Sequence, residues 1–279
     1  MVVADAGAVH DLGMRSLFSA PPDVDEATQR ARMIGRFEHL LGTDPGGSWV
    51  LERRGQVAGV AVALVREGIW GLSMFALEAD LRGQGLGRRL LNAALGYGAE
   101  LHAHGWIVLS SENPAAMRLY AHHAGMDLHP AVACAGIPDL SRAPACAAAV
   151  EDAGESGIAL ADAIGREIRG AGHGPDLGPA LRLGYRLLVF EDRAFVLARE
   201  GIVTLLAARD DEAASLALWG AFLTAPRGST AIVTFLTAAQ QWAIRVCLGA
   251  RLPLSVDSPV MTRGRLGPLT PYIPSGAYL

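Results

Sequence analysis

"FALEADLRGQGLGRRLLNAAL", residues 75–95, decides how this chain is read. An apolar run gives way to Arg82-Gly83-Gln84-Gly85-Leu86-Gly87, and a leucine-rich helical pattern follows at once. Three glycines in five residues exceed what one turn needs. They clear side chains from a helix start, where free main-chain N–H groups can all face one anion. No acid lies between Arg82 and Arg89, although acids are the usual choice in a first helical turn. Arg82, Arg88 and Arg89 stand there instead, so the segment is poised for an external anion, and a pyrophosphate fits. A Rossmann fingerprint fits poorly: the spacing is Gly-x-Gly-x-Gly, the preceding strands read as antiparallel, and the next strand ends in Ser110-Ser111 rather than an acid.

Composition narrows the chemistry further. All 24 basic residues are arginine, which excludes a Walker phosphate loop and any Schiff-base lysine. A net charge of −4 suggests neither a nucleic acid nor an anionic membrane as partner. Cys134, Cys146 and Cys247 have no metal-ligand spacing, and so sparse and odd a count suits a reducing cytosol. No signal peptide and no uninterrupted membrane-length apolar run are read, so a cytoplasmic protein is expected. The histidines at 102, 104, 122, 123 and 129 invite a zinc reading, but spacings of one and two point to different helix faces, and no metal site is expected.

Working outward, patterning places helices over 8–20 and 26–41, with Pro21-Pro22 between them. Strands follow over 49–53, 57–65 and 69–77, joined by turns short enough to require antiparallel neighbours. After the glycine stretch come a helix to about His104, a buried-type strand over 106–110, a helix opened by Asn113-Pro114, and a strand over 127–135. Residues 138–157, rich in Ala, Pro, Gly and Ser, read as a linker between a domain at 1–137 and a second at 158–279. The second half repeats the order: a helix over 158–169, strands over 185–190, 194–199 and 202–207, a helix over 210–224, a strand over 231–236, a helix over 238–248 and a strand over 252–261. Arg66-Glu67-Gly68-Ile69 recurs as Arg199-Glu200-Gly201-Ile202 at the same point, which suggests a duplication with divergence.

Arg82-x-x-Gly85-x-Gly87 after a strand in this order resembles the acyl-coenzyme A loop of the GNAT superfamily of N-acetyltransferases. Asn113-x-x-Ala116-x-x-Leu119-Tyr120, followed by Gly125-Met126, resembles the second signature of that superfamily. The two motifs together cover most of Met1 to Gly136. Two departures stand out. Tyr120 to Gly125 is one residue longer than the usual spacing, so a local rearrangement of that helix end is expected, and the usual proline before the arginine is Ala79.

The resemblance implies an α/β fold of the α+β kind: two tandem GNAT-like domains, each a mixed, mostly antiparallel sheet flanked by helices. It implies an acetyl-CoA-dependent N-acetyltransferase acting on a small-molecule primary amine in a ternary complex. The N–H groups of Gly83, Gln84, Gly85, Leu86, Gly87 and Arg88 would hold the pyrophosphate beside Arg82. Exposed main chain at Phe75, Ala76 and Leu77 would pair with the pantetheine arm and stabilise charge developing on the thioester oxygen. Asn113 would contact the arm, and Tyr120 would protonate the leaving thiolate. Glu112, Glu78, His39 or a chain of ordered waters would serve as base. A coenzyme A-binding sensor without transfer activity and a protein N-acetyltransferase remain alternatives; a monomer or homodimer is expected.

The second half lacks the glycine loop. Asp210, Asp211 and Glu212 open its equivalent helix and would repel a pyrophosphate, so a degenerate copy that binds no coenzyme A is expected. Asp162, Arg166, Arg169 and His173 share a helical face if that helix reaches so far, either as a solvated face with local ion pairs or as an acceptor-binding wall. The end of the chain, stiffened by Pro268, Pro271 and Pro274, is expected to pack near the acceptor cleft.

Overall fold

Strand Gln56–Arg66 (β2) is apolar almost throughout, and its residues divide by parity. Val60, Val62 and Leu64 pack against Val9 and Leu12 of helix Ala6–Ser16 (α1) and Phe37 and Leu40 of helix Glu26–Thr43 (α2). Ala61 and Ala63 face Leu90, Leu91 and Ala94 of helix Leu86–Glu100 (α3) on the other side. Period-two alternation thus buries both faces of the strand between helix layers, each large side chain contributing about 1.5–3 kcal/mol. The computed structural model describes residues 1–17 and 25–278; positions 18–20 of the first expected helix, Pro21-Pro22 and Leu279 lie outside them.

The first half continues with strands Ser48–Arg53 (β1), Ile69–Leu77 (β3) and Gly105–Leu109 (β4), helix Pro114–Arg118 (α4) and strand Asp127–Gly136 (β5). The second comprises strand Glu151–Asp152 (β6), helices Ile158–Ile168 (α5) and Gly174–Arg182 (α6), strands Arg186–Phe190 (β7), Ala194–Arg199 (β8) and Ile202–Ala208 (β9), helix Asp211–Thr224 (α7), strand Ala231–Thr237 (β10), helix Gln241–Gly249 (α8), and strands Leu254–Gly264 (β11) and Tyr272–Ile273 (β12). Helix α6 escapes sequence patterning because Gly174, Pro175, Gly178 and Pro179 mask its period. Residues 138–157 are built rather than extended: they form short 3₁₀ turns and β6, and Ala147 and Val150 enter the core against α7. Tight turns carry no 3.6-residue period, so this packing leaves no mark on the pattern.

All twelve described strands form one sheet in the order β1-β2-β3-β4-β11-β5-β10-β9-β8-β7-β6, with β12 beside β9. The expected mixed, mostly antiparallel α/β architecture flanked by helices is present. The sheet is continuous through both halves because their last strands are exchanged. β11 pairs with β4, β5 pairs with β10, and β5 and β11 pair with each other, all antiparallel. Each half has one parallel contact, β3 with β4 and β9 with β10. The recurring Arg-Glu-Gly-Ile has a local cause: Glu67 and Gly68, like Glu200 and Gly201, take positive φ in two-residue hairpin turns.

Both β3 and β9 carry a bulge, at Ser73 and at Thr204, where their pairing with the preceding strand slips by one residue. Such a slip swaps the faces of everything downstream. Trp70 and Leu72 face the α3 side, whereas Met74 and Ala76 face the opposite core. Phe75 is thereby turned toward Tyr120.

Buried charge joins the halves. Arg66 makes two bonds to Asp176 of α6 (2.7 and 2.8 Å) and one to Asp44 (2.7 Å). His39 Nε2 lies 2.7 Å from Asp176. Burial pushes the Asp176 carboxyl up, and the His39 and Arg66 bonds more than offset it, holding it below its ordinary value.

Candidate functional site

Parallel pairing of β3 with β4 covers only Ile69–Gly71 against Gly105–Ile107. Beyond Gly71 the strands diverge, and the β4-facing main chain of β3 has no strand partner among the described residues. Two cavities open along this splay. A cleft of about 270 Å³ is lined by Phe75, Ala76, Leu77, Arg82, Gly83, Gly85, Gly87, Arg88 and Asn113. A second, of about 420 Å³, lies deeper, and Tyr120 lines it. Leu17, Phe75 and Ser111 line both, so the two are adjoining spaces.

At the mouth of the cleft, Gly85 is left-handed (φ 77°) at the N-cap of α3, and Gly83 also has positive φ (78°). A Cβ at either would meet nothing within 4 Å, so glycine is present for backbone conformation and open approach rather than for packing. From Gly83 to Arg88 no main-chain N–H donates to a described protein group; Arg89 N–H is the first, to the Gly85 carbonyl (3.1 Å). No side chain caps the helix, and its first turn holds no acid. Arg82, Arg88 and Arg89 are exposed and make no ion pair among the described residues. These features together suit an anion.

Not every expected group points into the cleft. Arg82 Nε turns back to the Leu77 carbonyl (3.3 Å), occupying one acceptor at the end of β3. The Gln84 side chain donates to the Asp80 carbonyl (2.9 Å), and Leu86 packs against Ala58, Leu77 and Leu81, so both present main chain only. Asn113 Oδ1 caps α4 by accepting from the N–H groups of Ala115 and Ala116.

Helix α4 lasts only to Arg118, and Leu119–His123 form a π-helical turn. Ala124 N–H reaches the Leu119 carbonyl (3.1 Å), the wider spacing that accommodates one extra residue. This is the rearrangement expected from the long Tyr120–Gly125 interval. Tyr120, in this turn, is buried with its ring centroid 6.1 Å from that of Phe75. No described group hydrogen-bonds its hydroxyl. Burial raises its pKa above the ordinary 10, so the phenol stays protonated.

The three expected bases lie elsewhere. His39 is held by Asp176. Glu78 pairs with Arg53 (3.0 Å). Glu112 is exposed and lines neither cavity. Among the described residues no Asp, Glu or His lines the deeper cavity. The histidines considered for zinc bond separately, His123 to Asn92 and His129 to Thr262, and no group of three potential ligands gathers among the described residues.

The second half contributes to the deeper cavity through Tyr185, Thr204, Phe235, Gly276 and Ala277. The tail is thus docked beside it, with Tyr272, Ser275 and Tyr278 buried. The expected helical face of four residues is not formed. α5 ends at Ile168, Arg166 pairs with Glu67 of the first half (2.7 Å), and Arg169 and His173 are buried under the tail. Arg169 donates to the Tyr278 carbonyl (3.2 Å), and His173 Nε2 lies 3.3 Å from the Tyr272 hydroxyl. Burial, then the charges of Arg169 and Arg66, push His173 well below its ordinary pKa. Asp162 and the exposed Arg166 keep the expected pair one turn apart (3.8 Å), whereas Arg169 and His173 anchor the chain end.

Where the first half is open, the second is filled. Asp210 caps α7 by accepting from Ala213 N–H, and Arg193 grips Asp210 and Glu212. β9 and β10 diverge after Val203 and Val233, and β12 lies in that gap, Tyr272 opposite Ala207 and Ile273 opposite Leu206.

Sequence reading missed Arg36, which lines the deeper cavity from α2. Its position four residues before buried Leu40, on the same helix face, was the available signal.

Comparison with known proteins follows the same lines. A candidate acetyltransferase from Pyrococcus horikoshii superposes with a TM-score of 0.80 at 15% identity, covering 100% of this chain and 94% of that one. A GCN5-related N-acetyltransferase from Kribbella flavida gives 0.58 at 16%, covering 95% and 70%. Another from Sphaerobacter thermophilus gives 0.55 at 14%, covering 96% and 95%. Identities this low establish the fold alone. No curated protein matches the chain. No helix among the described residues is long and apolar enough to cross a membrane. Residues 12–126 match the model of the acetyltransferase (GNAT) family.

Proposed function

We propose that this protein is an acetyl-CoA-dependent N-acetyltransferase that moves an acetyl group to the primary amine of a small molecule, by direct attack in a ternary complex. One observation carries the reading: an open, acid-free helix start adjoins a cavity into which a protonated, unpaired tyrosine faces. The N–H groups of Gly83–Arg88 would hold the pyrophosphate, and Arg82 and Arg88 would add charge. Main chain at Phe75–Leu77 and the side chain of Asn113 would line the pantetheine arm. Bound acetyl-CoA would supply the acyl thioester. Tyr120 would give its proton to the departing sulfur. With no carboxylate or imidazole among the described cavity residues, the amine would lose its proton to water.

The second half, on this reading, is a degenerate GNAT-like unit in tandem with the first, without coenzyme A. Its own Asp210 satisfies the helix start, and its own β12 occupies the splay. The chain would work in the cytoplasm, as a monomer or homodimer, and three free cysteines suit a reducing compartment.

Thiol release from acetyl-CoA over a broad amine panel tests the reading. Turnover with small amines is expected. Tight binding of acetyl-CoA without turnover across the panel would favour the non-catalytic sensor instead, and turnover only with peptide amines a protein acetyltransferase.

A further inference from the structure

Arg36 is the one charged side chain among the described residues that line the 420 Å³ cavity. Its Nε and Nη2 are shut off from solvent and have no hydrogen-bond partner there. Among the described residues, the groups that bear on its charge are the hydroxyls of Tyr185 and Tyr278, and no acid faces it. Three other arginines are each matched by acids. Arg66 sits between Asp44 and Asp176, Arg193 on Asp210, and Arg209 on Glu167. A desolvated guanidinium without a counter-charge is costly. Here that cost is borne at a cavity wall, where an incoming anion would remove it.

Other features of the same cavity agree. Ser73 Oγ, exposed to the cavity side by the bulge in β3, is also buried and unpartnered. No described acid attracts a cation there. Leu72, Met74, Phe235 and Ala277 make much of the remaining wall apolar. Arg199 stacks behind the Tyr185 ring (4.4 Å) and does not line the cavity, so a single guanidinium faces it. One guanidinium balances the single charge of a carboxylate and leaves a phosphate dianion with an uncompensated charge in a largely apolar cavity.

We propose that Arg36 binds a carboxylate of the acceptor, so that the acceptor class is amino-acid-like: a small amine joined to a carboxylate and an apolar body. The amine rests on the transferase reading above; the anion site stands on Arg36 alone.

The test takes phenylalanine and leucine, each beside its α-amide and its decarboxylated amine, with O-phosphoethanolamine as the phosphate arm. Thiol release from acetyl-CoA gives kcat/KM. Thermal shift by the N-acetylated amino acids and their amides, with coenzyme A present, reports binding without turnover. The carboxylate members are expected to be favoured about 10- to 100-fold, the range of a hydrogen-bonded charge. Arg36→Leu should abolish that preference, and Arg36→Lys should restore part of it. Because Arg36→Leu removes an unpaired buried charge, it should melt no lower than the parent and bind acetyl-CoA equally well. Equal use of acid, amide and amine by the parent protein overturns the proposal, as does an equal loss for all three in Arg36→Leu. A preference for O-phosphoethanolamine overturns the carboxylate assignment. Carboxylate-dependent thermal shift without turnover supports the anion site and sinks only the transferase reading. Neither shift nor turnover sinks both.

Discussion

Tyr272 pairs with Ala207 across the gap between β9 and β10, whereas among the described residues no strand lies in the gap beyond Gly71 in the first half. The splay beside β3 is thus open among the described residues, and the one beside β9 is closed by β12. β-Strand addition satisfies main-chain groups wherever a sheet edge is free.

The tail should be structural as well as a cavity wall. Tyr278→Ala is expected to cost about 3–5 kcal/mol, as for other large buried side chains, because Tyr278 is buried with Ser275 beneath it. Deleting residues 274–279 should lower the melting temperature and raise the acceptor KM, since Gly276 and Ala277 line the cavity. Unchanged melting and unchanged KM in the truncated chain would remove the tail from both roles.

Gly85→Glu should abolish acetyl-CoA binding while the second half stays folded. The substitution places a carboxylate at the helix start and forces φ of 77° on a residue with a side chain. Gly85→Ala separates the effects: strain alone should cost about 1–2 kcal/mol and leave the site uncharged. Calorimetry with acetyl-CoA checks both, and full affinity in Gly85→Glu would refute the cradle.

Tyr120→Phe should lower kcat by about 10²–10⁴, the usual contribution of a positioned acid, with acetyl-CoA affinity retained. The sign of the pH effect follows from the raised pKa. The acid form persists through the ordinary tyrosine value, so kcat should show no alkaline fall below about pH 10 from this group. A kcat that titrates away near pH 8 and loses that dependence in Tyr120→Phe would contradict the assignment.

Asp176→Asn should destabilise the protein by about 3–5 kcal/mol, because it strands Arg66 without its main buried partner. Asp176 has its pKa depressed in the folded state. Its contribution is therefore present above the unfolded value near 3.9 and is lost as pH falls through the lower folded value. Denaturant melts across pH 2–6 should show a steeper acid loss for the parent than for Asp176→Asn. Parallel curves would mean that Asp176 does not carry the linkage.

The glycine loop, the acid-free helix start and the Asn113–Tyr120 spacing were legible because each is local chemistry written in consecutive residues. Even the irregular turn after α4 was foreshadowed, by one residue too many between Tyr120 and Gly125. Arg36 was only half legible: its place on the Leu40 face of α2 turns it inward, but the cavity it meets is built by residues far along the chain. Glu78 and His39 were misleading for the converse reason: a titratable side chain says nothing by itself of Arg53 or Asp176, which claim them.

By itself, then, the sequence determined the elements other than α6, β6 and β12, their repeated order and the contrast between Gly83–Gly87 and Asp210–Glu212, all matters of local conformation and charge. Tertiary structure decided the rest. The exchange of β5 and β11 joins the halves into one sheet, the bulge at Ser73 turns Phe75 toward Tyr120, and the tail closes the second splay. Strand partners, registers and buried charge pairs are contacts between residues far apart in the chain, and no local pattern encodes which partner is chosen.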